Sequence, residues 1–160
     1  MSYVIVGLNH RTVPLELLER MTVASEALPK ALHSLASREH LIEVAVLSTC
    51  NRTEIYGYCT KFHSAVHDVS EFLAEKSLVA PDELVDHLYT YYDDAAVGHL
   101  FGVAAGVDSM ILGEGEILGQ VRDAWTVATN EGTAHKSLSR VFRHAIEVGK
   151  RSRSETAIGR

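Results

Sequence analysis

Apolar positions along this chain follow two rhythms. The first is the short, nearly continuous apolar run. SYVIVGL (2–8) reads as a buried strand. LIEVAVLS (41–48) is apolar and β-branched, as a central strand is, and TEIYGYC (53–59) follows four residues later. That spacing predicts an antiparallel hairpin. LVDHLYTY (84–91) is a fourth strand candidate. The second rhythm is helical. NHRTVP breaks the first run, and Pro14 opens a helical turn through LELLER. Leu28, Leu32 and Leu35 recur at helical spacing, with Ser25 as N-cap. Phe62, Ala65, Val66, Val69, Phe72 and Leu73 form one stripe, and Pro81 marks a break.

The resulting order over residues 1 to 91 is β-α-β-β-α-β, that of a ferredoxin-like split βαβ sheet. Beyond residue 93 the pattern is helical. Asp93 or Asp94 caps a helix carrying Val97, Leu100, Phe101 and Ala104, and a glycine-rich segment follows. Two more helices carry Ile117, Val121, Ala124, Trp125 and Ala128, then Leu138, Val141, Phe142, Ala145 and Ile146. The expected class is α+β: an antiparallel ferredoxin-like part over 1–92, then a helical part over 93–153.

Composition changes this picture little. Hydrophobic residues make up 46% and charged residues 22%, as in an ordinary soluble protein. No apolar run approaches the roughly 18 to 20 residues of a membrane span. MSYVIVGLNH has neither a basic n-region nor a small-residue cleavage site, so the expected location is cytoplasmic. Without secretion the Asn51-Arg52-Thr53 sequon carries no meaning. In that compartment a structural disulfide between Cys50 and Cys59 is not expected. Charge is unevenly placed. Residues 136–160 hold seven Lys/Arg against Glu147 and Glu155, within a chain of net charge −6. Such a basic end suits either a polyanion or an intramolecular contact, or a solvated helix whose dipole favours C-terminal cations.

The candidate chemistry starts at LSTCNRTEIY (47–56). If the flanking runs pair, Thr49-Cys50-Asn51-Arg52 is the connecting loop and Cys50 is at least partly exposed. An unperturbed thiol is about 3% thiolate at pH 7, and a neighbouring guanidinium favours the anion. A lone cysteine is also a common structural residue, so both readings stand. The planar fork of Arg52 equally suits a substrate carboxylate. Cys59, His63 and His67 stand at i, i+4 and i+8, but Cys59 ends a strand, and surface histidines are the simpler reading. On a helical wheel His99 falls opposite the Val97 stripe, beside Gly98, Gly102 and Gly106. It is either a histidine on a cleared face open to a substrate or a solvent histidine on a tightly packed helix. GVDSMILGEGEILGQVR lacks the G-x-G-x-x-G spacing and a preceding strand, which argues against a dinucleotide site. Its glycines could admit a ligand near Ser109, Glu114, Glu116 and Gln120.

Four segments in order carry a resemblance: GLNHRTVPLELLER, LSTCNRTEIY, HLFGVAAGVDSMILGEGEILGQVRDAW and FRHAIEVGKRSRSETAIGR. Together they resemble the N-terminal catalytic domain of glutamyl-tRNA reductases. That family uses NADPH to reduce glutamate esterified to its tRNA to glutamate-1-semialdehyde, which opens tetrapyrrole (haem) synthesis. The resemblance implies that Cys50 is the nucleophile and His99 a residue important for activity. It implies Arg52 as holder of the glutamate carboxylate, with Thr49, Asn51 and Ser109 positioning the substrate. Glu114, Gly115, Glu116 and Gln120 match further substrate contacts; many relatives carry a side chain where Gly115 stands. Family members continue with an NADPH-binding and a dimerisation domain. Residues 154–160 then read as the start of a linker, and the chain is expected to be monomeric and to form the thioester without reducing it. Glutamyl-tRNA is the implied partner, with glutamate-1-semialdehyde aminomutase as recipient of the product.

Two other classes compete. An RNA-binding module on the same fold would stack bases on its sheet, and Tyr56 and Tyr58 alternate on one strand, but the K/R-G-F/Y pattern is missing. A thiol-based sensor would use Cys50 and Cys59.

Overall fold

The structure, a computed structural model, describes residues 1–108 and 115–155. Ser109 and Glu114 therefore lie outside the described residues, as do the last five positions. Four strands form one sheet: β1 (Ser2–Asn9), β2 (Leu41–Ser48), β3 (Arg52–Cys59) and β4 (Tyr89–Tyr92). Their spatial order is β2-β3-β1-β4, antiparallel throughout. Among the described residues seven α-helices accompany them: α1 (Leu15–Met21), α2 (Leu28–Ala36), α3 (Phe62–Ser77), α4 (Pro81–Val85), α5 (Asp93–Ala105), α6 (Glu116–Asn130) and α7 (Lys136–Glu155). The architecture is α+β with the ferredoxin-like order the apolar pattern predicts.

The sheet is buried on both faces, which is why β1 and β2 read as continuous apolar runs instead of alternating ones. On one face Thr53 donates through its hydroxyl to the Met21 carbonyl of α1 (3.2 Å). On the other, Tyr56 meets Phe142 of α7 edge to face, and Tyr3 donates to the Ser137 carbonyl. α1, α2 and α3 thus cover the side of Val4, Val6 and Ile55. α5 and α7 cover the side of Ile5, Glu54 and Tyr56. The free edge of β2 is closed off: Val44 N–H donates to the Thr133 carbonyl beyond α6 (2.9 Å).

The helical part is keyed to the sheet by one carboxylate. Glu43, 4% exposed, accepts the N–H groups of His135 (2.7 Å), Ser137 (3.1 Å) and Leu138 (3.0 Å) at the start of α7. An anion suits a helix N-terminus, where the orphan donors and the dipole's positive end meet. At the other end α7 crosses α5 through Gly149. A Cβ there would lie 2.6 Å from the Ala104 carbonyl oxygen.

Several local expectations need correction. Ser25 starts a short 3-10 turn, and α2 begins after Ala27 without a side-chain cap. Pro81 opens the one-and-a-half turns of α4, so Leu84 and Val85 are helical and the fourth strand is only Tyr89–Tyr92. A proline at the first helical position loses no hydrogen bond, so it starts a helix as readily as it breaks one. Asp93 adopts φ +48° at the corner into α5, and its carboxylate accepts the Tyr3 N–H (3.1 Å) instead of capping its own helix.

Candidate active site

The β2–β3 hairpin closes through Thr49, Cys50 and Asn51. Thr49 N–H donates to the Arg52 carbonyl (2.8 Å). Its hydroxyl oxygen accepts the N–H groups of Asn51 (3.1 Å) and Arg52 (3.3 Å). The Asn51 carbonyl accepts the His10 N–H at the end of β1 (3.0 Å). This loop is therefore held at both sides, and Cys50 is exposed at its tip. Cys59 is the contrasting thiol. It is buried at the far end of β3, donates to the Ser2 carbonyl, and is pushed up in pKa chiefly by burial. Cys59 does not join His63 and His67, which are exposed on α3, where His67 pairs with Glu71 (3.2 Å).

Beneath the tip is a charged cluster on the α5 side of the sheet. Its centre is Glu54, whose side chain is 0% exposed. Glu54 accepts the hydroxyls of Tyr56 and Tyr89, both at 2.5 Å. His99 Nε2 is also 2.5 Å from Glu54 Oε2, and because a carboxylate only accepts, that nitrogen carries the proton. Arg52 Nη1 reaches the same oxygen at 3.4 Å. The meeting of Glu54 with Tyr89 needs room over β1, and Gly7 provides it. A Cβ on Gly7 would lie 2.9 Å from both Glu54 Cγ and Tyr89 Cε1. Burial by itself would raise the Glu54 pKa. The hydrogen bond and charge of His99, then Arg52 and Tyr56, outweigh it and hold the group below the ordinary carboxylate value. Burial first, then the charge of Glu54, pushes the Tyr56 and Tyr89 phenols upward.

Arg52 is not displayed to solvent. Its side chain is 2% exposed; Nη1 donates to Asp108 Oδ2 (2.9 Å) and Nη2 to the Asp108 carbonyl (2.5 Å). Burial would lower its pKa, but Glu54 and Asp108 raise it overall. Arg11 adds a looser contact to Asp108 (3.6 Å). The guanidinium is thus engaged by two carboxylates, and its hydrogen bonds do not go to the Cys50 thiol.

His99 also sits differently from its wheel position. The buried arc of α5 is centred on Ala96, Leu100 and Val103, not on Val97, so His99 lies at its border. Its side chain is 11% exposed and its ring stacks on Tyr91 at 4.7 Å. Gly98 faces open space, with nothing within 4 Å of where a Cβ would stand, and Gly106 (φ +81°) ends the helix in the left-handed conformation. Gly115 and Glu116 are exposed at the start of α6. Gln120, one turn on, lines a groove with Ser48 and Val23 beside the hairpin. The structure brings Arg52 and His99 together on Glu54, with Thr49, Cys50 and Asn51 in the loop just ahead of Arg52. Sequence reading misses Glu54, Tyr89 and Asp108. Glu54 carried one signal: an acidic residue two positions from an arginine, hence on the same face of a strand otherwise apolar.

Fold and site together define an α+β domain that presents one exposed thiol above a buried, ion-paired cluster. Residues 6–156 match the family model "Glutamyl-tRNAGlu reductase, N-terminal domain". The chain belongs to that family. It is 50% identical over 158 residues to a glutamyl-tRNA reductase of Frankia alni, covering 99% of this chain and 34% of the relative. It is 47% identical over 160 residues to one from Streptomyces avermitilis, covering all of this chain and 28% of the relative. The solved glutamyl-tRNA reductase of Methanopyrus kandleri superimposes with a TM-score of 0.76 at 36% identity, covering 99% of this chain and 36% of that one. The chain spans about a third of the length of these relatives. Among the described residues no helix is long and apolar enough to cross a membrane.

Proposed function

We propose that this chain is the substrate-binding, thioester-forming domain of a glutamyl-tRNA reductase. The observation that carries the reading is the exposed Cys50 on a pinned hairpin tip, two residues from an arginine already seated on carboxylates. In this reading the Cys50 thiolate attacks the carbonyl carbon of the glutamyl ester. A carbon–sulfur bond forms, the carbon–oxygen bond to the ribose breaks, and the proton given up by the thiol ends on the released ribose hydroxyl. A thioester has weaker carbonyl resonance than an ester, which suits a later reduction and explains cysteine over serine.

Arg52 takes the carboxylate of the glutamyl group. Its fork fits that task because it already holds the Asp108 carboxylate at 2.9 Å, and the substrate would displace that internal anion. His99 is oriented by Glu54 through Nε2, which leaves Nδ1, without a partner among the described residues, for the ester or leaving group. Thr49 and Asn51 shape the loop, and Ser109, Glu114, Gly115, Glu116 and Gln120 complete the substrate contacts. NADPH does not fit the described residues. Among the described residues the sheet offers no parallel βαβ crevice of the dinucleotide-binding kind, and hydride transfer is assigned to the longer reductase. Glutamate-1-semialdehyde, its transfer to an aminomutase and the link to haem synthesis belong to this reading as the activity of the longer reductase.

The test is mass spectrometry of the chain after acid quench with glutamyl-tRNA. A glutamyl adduct on the Cys50 peptide, absent in Cys50→Ser, is the expected result. A chain that consumes no ester and carries no adduct overturns the reading.

A further inference from the structure

We infer that the outward face of α7 is a docking track for the phosphate backbone of RNA. This rests on the reading above for what the RNA is, but on independent observations for where it lies. Lys136, Arg140, Arg143, Lys150 and Arg151 are all exposed on one side of the helix, with only Glu147 and Glu155 among them. Leu138, Phe142, Ala145, Ile146 and Gly149 bury the opposite side.

These cations are gathered on one helix face of an otherwise acidic protein. The chain has 21 Asp and Glu against 15 Lys and Arg. Elsewhere Arg38 pairs with Glu71 and Glu75, and Arg52 with Glu54 and Asp108, whereas Arg20 and Arg122 stand singly on other faces without an ion pair among the described residues. On α7, Arg151 pairs with Glu155, while Lys136, Arg140, Arg143 and Lys150 make no ion pair among the described residues. Their clustering makes a positive stripe on a negative body, which orients and attracts a polyanion.

Spacing and direction agree. Lys136, Arg140 and Arg143 follow at steps of four and three residues, about 5 to 6 Å along the axis at about 1.5 Å rise, and Lys150 follows seven residues on, so the stripe extends over about 20 Å of helix. The Arg143 guanidinium lies 5.9 Å above the Trp125 ring, giving the stripe a planar stacked group of the kind that unpaired bases contact. The helix starts at the Glu43 end of the sheet and runs to the Ala104 end of α5, where Arg153 donates to the Ala104 carbonyl (2.7 Å). Four residues beyond Ala104, Asp108 holds Arg52. An RNA lying along α7 therefore has one end directed to the part of the domain that carries Cys50.

The test measures binding of uncharged tRNA to the 160-residue chain by fluorescence anisotropy across a salt series. The Lys136→Glu/Arg140→Glu/Lys150→Glu triple is set against Arg20→Glu/Lys30→Glu/Lys61→Glu, which changes net charge equally on other faces. The α7 triple is expected to weaken binding about tenfold or more at 0.1 M salt and to lower the salt slope by about 2 to 3. The control triple is expected to change both little. A glutamine triple at the same α7 positions repeats the test if charge reversal unfolds the helix by circular dichroism. Equal losses in both triples, or none in the α7 triple, overturn the proposal; the second result would make this face a protein contact. Acylation of Cys50 by a glutamyl thioester of a small thiol is followed in parallel. It should survive in the α7 triple, and its absence in the wild-type chain would sink the catalytic reading without touching the RNA track.

Discussion

The two faces of the sheet are built on opposite principles. The face under α1, α2 and α3 is closed by side chains such as Val4, Val6, Ile55, Leu32 and Leu73, which need only shape and apolar surface. The face under α5 and α7 sets Arg52, Glu54, Tyr56, Tyr89 and His99 into the protein's interior around one carboxylate. Buried charge is costly unless fully partnered, and apolar residues of similar volume would hold such a face at least as well. Stability therefore gives no reason for the polar face. Under the proposed function its position below the Cys50 hairpin does, because a fixed imidazole and a fixed guanidinium are worth more to chemistry than to folding.

Substitutions can sharpen that contrast. The largest loss is expected from Glu54→Leu, which strands Arg52 and His99 without their shared anion. About 3–5 kcal/mol should disappear in urea unfolding, and a loss below about 1 kcal/mol would mean the cluster is not a coupled unit. The same carboxylate gives the polar face a pH signature. Its pKa is depressed in the fold, so its contribution is complete above about pH 4.3 and is lost as pH falls through the folded value. The raised Tyr56 phenol behaves oppositely, contributing fully below about pH 10 and losing its effect above. Melting temperature should accordingly fall off at both extremes, and Glu54→Leu should flatten the acid limb.

Leu73→Ala tests the apolar face. A loss of about 2–4 kcal/mol is expected, with the pH profile unchanged, because it removes packing and no charge. If its acid limb changed shape, the two faces would not be independent. Gly7→Ala comes next, at about 1–3 kcal/mol, since its methyl would press on Glu54 and Tyr89 at 2.9 Å. Fluorescence quenching or amide exchange at Tyr89 would show whether the tyrosine has been displaced. Smallest is Cys50→Ser, within about 0.5 kcal/mol of wild type by thermal melting, while Cys50 acylation is abolished. A markedly destabilised Cys50→Ser would revive the structural reading of that thiol.

Much of this was legible in the linear chain. The runs 2–8, 41–48 and 53–59 and the stripe from Phe62 to Leu73 marked three strands and a helix, because burial on both faces leaves a clear apolar signature, while the fourth strand was legible only in its last residues, Tyr89 to Tyr91. The exposure of Cys50 followed from its place between two runs that must pair. Local capping was less legible: Ser25 and Pro81 have two structural uses each, and only neighbours choose between them. The state of Arg52 was not legible at all. An arginine beside a cysteine reads the same whether it reaches for solvent, for the thiol or for an aspartate 56 residues away.

The sequence by itself determined the antiparallel α+β sheet, the hairpin tip with its exposed thiol and the basic stripe of the last helix. These depend on periodicities of a few residues. Only the tertiary structure decided that Glu54 joins Arg52, Tyr89 and His99, that Gly7 clears the space between them, and that Asp108 occupies the arginine fork. Those contacts bring together residues from β1, β3, β4 and α5, and no local pattern encodes which distant charge will answer another. The physical reason is that apolar burial is non-directional and leaves its mark on every residue of an element, whereas a buried ion cluster is satisfied by a few directed bonds whose partners the fold alone supplies.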